Sequence, residues 1–179
     1  MVKMMPEATR AGPFNLRLLR GGIAGIVAIA LNSIALKAAD WVPLSTAHGG
    51  LLRLLVQLGG IPLALAGVAD IWRRLGLPTP DTQLFQWSFH AVIGMAMAQM
   101  YVLGLKVRLP GSATAKGVIY ATTVWLINAV IVLPLVGEGF AGSRDLSCFG
   151  IAWFAAAHTL FFLSLAWVDE LLCVALRFE

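Results

Sequence analysis

The sequence predicts an all-α polytopic membrane protein: four transmembrane helices, with an amphipathic interfacial segment between the first and the second. Three observations predict it. Only 12% of the 179 residues are charged and 59% are hydrophobic, whereas a soluble domain carries about 25% charged and 45–50% apolar residues. The apolar residues come in blocks of about 20, the length that crosses a ~30 Å hydrocarbon layer. The cations, finally, are distributed unevenly along the chain in a way that a membrane orientation explains.

The expected organisation is a cytoplasmic arm over residues 1–17 and one transmembrane domain over residues 18–179. In the arm, Pro6, Gly12 and Pro13 oppose a regular helix. The helices are expected at about 18–38, 86–105, 115–136 and 147–167. Arg10, Arg17 and Arg20 precede an apolar run from Gly21 to Leu36 that is too long for a signal-peptide core, so the segment reads as an uncleaved first helix. Lys37 can snorkel from its end, and Trp87, Tyr101 and Trp167 stand where interfacial aromatics belong. Pro110 and Gly111 separate the second helix from the third, and Gly137, Gly139 and Gly142 separate the third from the fourth.

Residues 41–80 are harder to place. Leu51 to Val68 is apolar, but Arg53 and Gln57 interrupt it and Gly59, Gly60 and Pro62 break its middle. With four helices and the N-terminus inside, Lys3, Arg10, Arg17, Arg20, Lys106, Arg108, Lys116 and Arg177 lie inside, eight cations against five. A fifth crossing would leave seven against six, almost no bias. The segment is therefore expected to lie on the outer interface or to re-enter it. The expected location is a bacterial inner membrane, with both termini cytoplasmic.

The net charge of +4 and pI near 9.5 fit cations held beside anionic lipid, not nucleic-acid binding. Cys148 and Cys173 are too far apart for a disulfide if one helix joins them, at roughly 37 Å. No zinc-ligand spacing appears. There is no phosphate-binding loop, nucleophile elbow, HExxH or dinucleotide fingerprint, and the acidic residues are expected in loops or beyond helix ends. No enzyme is expected, and no metal site.

Chemistry, if present, should use polar side chains inside the hydrocarbon. Each expected helix has one near its middle: Asn32, Gln99, Asn128 and His158. They are expected to form a polar layer, fixing helix register through hydrogen bonds or lining a solute or proton path. His90 and His158 are candidate axial ligands for haem b or bacteriochlorophyll, although their expected depths differ by roughly 8 Å. His48 is expected in the outer interfacial stretch. Gly21 and Gly25, and Gly94 with Ala98, form small-xxx-small faces that suit close helix packing within the chain or self-association.

Several stretches together resemble a known family. The first helix opens GGIAGIVA and closes with Lys37 and Asp40 before WVPL; IWRRLGLPTPDT precedes a helix beginning near WSFHAVIG. The third helix ends in VLPLVGEG, and the fourth carries AHTLFF. In these features the chain resembles the YagU-type bacterial inner-membrane proteins, a four-helix family linked with acid tolerance. The resemblance implies that His90 and His158 match family histidines, with Ala157 in place of the family glycine and a shorter C-terminal tail.

The functional expectations are three. The first is a structural or accessory protein without enzymatic activity, surrounded by lipid and associating with itself or with other membrane subunits. The second is a tetrapyrrole-binding subunit. The third is a small-solute or proton transporter or channel.

Overall fold

The computed structural model describes residues 13–41 and 50–176. His48 and most of the N-terminal arm lie outside the described residues. Among the described residues there is no strand, and four helices are long and apolar enough to cross a membrane. The protein is a multi-pass, all-α membrane protein.

The helices are α1 (Phe14–Ala38), α2 (Gly50–Leu65), α3 (Val68–Arg74), α4 (Gln83–Leu105), α5 (Ala113–Leu135) and α6 (Cys148–Ala175). The four of membrane length are α1, α4, α5 and α6; α2, with Pro62 inside it, has 16 residues. The expected starts and ends hold to within a few residues, with one exception. α6 runs eight residues beyond the expected end at 167, so Asp169 and Glu170 lie within it. The expectation that these acids come after the last helix is corrected: both have cationic partners within the fold, so neither has to leave the helix to reach water.

Hydroxyl side chains start three of the long helices. Thr82 Oγ1 accepts the Phe85 amide at 3.3 Å, Ser112 Oγ the Ala115 amide at 3.3 Å, and Ser147 Oγ the Gly150 amide at 3.1 Å. Each satisfies one of the first-turn amides that a helix leaves without a carbonyl. Two helices contain a widened turn with i→i+5 bonding, at Tyr101–Leu105 in α4 and Asn128–Val132 in α5. In α5 the wide turn ends two residues before Pro134, whose ring crowds the carbonyl four residues earlier, inside that turn.

The chain divides into two compact units. The first holds the described residues of Met1–Ala35, Ile93–Thr122 and Ala157–Glu179. Its buried residues include small ones that let helices close together: Ala24, Ala28, Ala98, Ala157 and Ala166. A Cβ on Gly25 would lie 2.8 Å from the Ala98 Cβ, one on Gly21 would meet the Gln99 amide, and one on Gly94 would lie 2.7 Å from Ile29. The small faces of α1 and α4 therefore pack on each other within the chain. Tyr101 stacks on Tyr120 at 6.0 Å, and Tyr120 leans on Phe162 at 4.4 Å. Bulky apolar side chains such as Leu19, Ile26, Ile34 and Val118 point outward instead. Small-inside, large-outside is what a lipid solvent permits and water does not.

The second unit holds Leu36–Val92 and Thr123–Ala156, again for the described residues. Leu52, Val124, Ala129, Val132, Leu133, Ala141 and Leu146 are buried in it. α2 starts against the end of α5, where a Cβ on Gly50 would lie 2.8 Å from Leu133. Trp72 meets Phe85 edge-on at 6.0 Å and donates its indole N–H to the Pro78 carbonyl at 2.8 Å. Lys37 lies 5.6 Å from the Trp87 ring centre, a cation–π arrangement.

Candidate functional site

A charged centre occupies the first unit. Arg20 comes from the second turn of α1, Lys106 immediately succeeds α4, and Asp169 and Glu170 come from the last third of α6. Asp169 is fully buried and Arg20 nearly so. Arg20 donates Nε and Nη2 to Asp169 Oδ1 at 3.1 and 2.6 Å. Lys106 Nζ donates to Asp169 Oδ2 at 2.6 Å and pairs with Glu170 Oε2 at 2.9 Å. Both oxygens of the buried carboxylate are thus occupied, and two cations balance two anions. Lys106 Nζ also lies 3.7 Å from the thiol of Cys173, one turn further along α6.

The backbone around the centre explains how it is held. The wide turn at Tyr101–Leu105 ends with the Lys106 amide bonded to the Tyr101 carbonyl at 2.8 Å. One residue more in a turn rotates the next side chains about the helix axis by about 100°, and here it helps to direct Lys106 at α6. The last carbonyls of α4 are taken by arginines: Arg17 Nη2 donates to Val102 and Leu103 at 3.0 and 2.6 Å, and Arg108 Nη1 to Gly104 at 3.3 Å. Cations suit the negative end of a helix. The Tyr101 hydroxyl is buried and has no hydrogen-bond partner among the described residues.

Burial disfavours the Lys106 ammonium, but hydrogen bonds and charge from Asp169 and Glu170 outweigh it and raise its pKa above the usual 10.5. The stability that Lys106 contributes is therefore fully present below about pH 10.5 and lost as pH climbs through the raised folded value. Thermal melts in detergent are expected to show a midpoint that falls on this alkaline side. In Lys106→Arg the fall should move to higher pH, because a guanidinium stays charged. An alkaline limb that is the same in both proteins would count against the pairing.

A second buried acid lies in the second unit. Glu138 is 2% exposed and forms an ion pair with Arg53 of α2. The loop wraps it closely: the Glu138 amide bonds to the Leu133 carbonyl at 2.9 Å, and its carbonyl accepts the Arg144 amide at 3.0 Å. Gly137, Gly139 and Gly142 have positive φ, and so does buried Ala141 at 53°, which only a tightly determined loop maintains.

Of the polar residues picked from the sequence, Gln99 and Asn32 meet α1 at different levels. Asn32 is buried in α1. Gln99, half-buried, donates its amide to the Leu18 carbonyl at 3.1 Å and lies against Gly21. Gly21 precedes Asn32 by eleven residues on α1, roughly 16 Å of helix, so Gln99 and Asn32 meet α1 at different depths. Asn128 donates to the Val124 carbonyl of its own helix at 3.1 Å. His158 is half-buried in the first unit with Asn32 and Gln99, while Asn128 and half-buried His90 belong to the second. Among the described residues no three His, Cys, Asp or Glu side chains gather as a metal site, and both cysteines are free thiols.

The charged centre is what the reading of the sequence missed. A signal was present: after Asp169 and Glu170 the sequence continues LLCVAL, an apolar run that keeps the helix going. Arg20, facing it from within the apolar part of α1, is the complementary sign. No family model, curated protein or solved structure matches the chain.

Proposed function

We propose that the protein is a non-enzymatic structural or accessory component of a bacterial inner membrane, with both termini cytoplasmic. It would act by associating with itself or with other membrane subunits. The observation that carries this reading is the Arg20–Asp169–Lys106–Glu170 centre. Its charges are spent on one another and tie α1, the end of α4 and α6 together. Groups committed in this way brace helices; they are poorly placed to bind and release a solute. Gln99 and Asn128, two of the four mid-helix polar residues, likewise donate to backbone carbonyls of the chain. The cation bias of eight against five supports the orientation.

The test is the state of the protein extracted from its own membrane in a mild detergent. Native mass and cross-linking are expected to show a defined oligomer or a stoichiometric complex with another membrane protein. A monomer that carries solute or proton flux in proteoliposomes, or that shows a haem or chlorin absorption band lost in His158→Ala, would overturn the reading.

A further inference from the structure

The helices between α1 and α4 present apolar surface that the other described residues do not cover. In α2, Leu55, Val56, Leu58 and Leu65 are exposed, the last at 85%. No residue of α3 is buried; Val68 and Ile71 within it and Leu75 at its end are exposed. Water is a poor cover for so many large side chains on two short helices.

The pattern on the helices says how the surface is oriented. Arg53, Gln57, Gly60 and Ala64 succeed one another at helical spacing and make a polar-to-small stripe along α2. Leu54, Leu55, Leu58, Pro62 and Leu65 make the opposing stripe. A re-entrant helix immersed in hydrocarbon needs no such division, whereas a helix lying in the plane of the interface does. The start of α2 is fixed near the end of α5 by the fit of Gly50 against Leu133 and by the Arg53–Glu138 ion pair. Gly67, at φ +70°, ends the run and turns the chain into α3.

α3 supplies the charge that such a placement uses. Asp70, Arg73 and Arg74 border one shallow cleft, open to solvent. Asp70 engages Arg73, and Arg74 forms no ion pair among the described residues. We propose that α2 and α3 lie flat in the outer leaflet of the bilayer that the protein spans, with the leucine stripe among acyl chains. Arg74, assisted by Arg73, contacts the phosphodiester of a phospholipid headgroup. Lipid is the occupant that fits: one face is apolar along its length, a cation stands at the headgroup end, and α2 and α3 belong to one unit of a chain with membrane-length helices.

The test is a depth profile in proteoliposomes of phosphatidylethanolamine and phosphatidylglycerol. Spin labels are placed singly at residues 55, 57, 58, 60, 64, 65, 71 and 74 after replacing Cys148 and Cys173 with serine. Labels at 55, 58, 65 and 71 are expected to be open to oxygen and shielded from a water-soluble nickel chelate, with the reverse at 57, 60, 64 and 74. In Arg74→Glu the label at 71 should lose its shielding and approach the chelate access seen at 57. Uniform oxygen access at all α2 positions would mean re-entry, and uniform chelate access or spin–spin broadening would mean water or a second copy; each overturns the proposal. A photoreactive residue at Leu58 in the otherwise unaltered chain gives a check that does not depend on the serine replacements. A lipid-mass adduct is expected there, and a protein adduct alone would refute the proposal.

Discussion

Asp169→Ala is expected to remove about 3–5 kcal/mol of stability, the cost of breaking a buried ion pair from one side. The carboxylate is fully buried and takes three donor groups, two from Arg20 and one from Lys106. Without it, Arg20 is a buried cation that has lost both of its hydrogen bonds to a carboxylate. It must then stay unpaired in the interior or pull α1 toward the headgroups, losing the α1–α4 contact at Gly21 and Gln99. Lys106 retains Glu170 and suffers less. Reversible unfolding in mixed micelles would measure the difference, and a loss below about 1 kcal/mol would place the pair in the class of solvated surface bridges.

Two double variants separate pairing from mere packing. Arg20→Met with Asp169→Leu removes both charges of the main pair and leaves Lys106 with Glu170, so it should recover most of the lost stability. The charge exchange Arg20→Asp with Asp169→Arg should not. In the exchanged protein Lys106 would face an arginine at 169, so like charges would meet where opposite ones stood. Rescue by the apolar pair and failure of the exchange is the signature of a three-way centre. Rescue by both would reduce it to a simple two-residue pair.

Hydropathy made the four long helices legible because each carries its own apolar run, and the lipid solvent asks for little else. The pairing of charges was not legible, since Arg20, Lys106 and Asp169 are separated by 63 to 149 residues and only the fold joins them. A charge late in an apolar run looks like the membrane edge, so the end of α6 was expected before Asp169 instead of at Ala175. The relative depth of Gln99 and Asn32 is not legible for a related reason. Position within a segment says little about which neighbouring turn a side chain meets, and Gln99 bonds to Leu18, not to the level of Asn32. The widened turns in α4 and α5 left no periodic trace, because one extra residue shifts the pattern without interrupting it. The hydroxyl caps at Thr82, Ser112 and Ser147 play no part in the sequence reading, because the polarity change at each helix start is already marked by the loop that precedes it.

Gly25→Ala is expected to destabilise the protein by about 1–3 kcal/mol, while Gly22→Ala, three residues away on the same helix, should be neutral or stabilising by up to about 1 kcal/mol. The two substitutions add the same methyl to the same helix, so the gain in helix propensity is common to both. What differs is the space. At Gly25 the new Cβ would stand 2.8 Å from the Ala98 Cβ and 3.2 Å from the Met95 sulfur; at Gly22 nothing among the described residues lies within 4 Å. Met95 can bend away, but the Ala98 Cβ is fixed to its backbone, so α1 and α4 must separate. That separation would loosen the hydrogen bond from Gln99 to Leu18 and the approach of Arg20 to Asp169 on the same stretch of α1. Ala98→Gly in the Gly25→Ala background removes the opposing methyl and should restore most of the stability. If Gly25 instead served contacts between copies of the chain, Gly25→Ala would change the oligomer distribution and leave the unfolding free energy of the monomer unaltered.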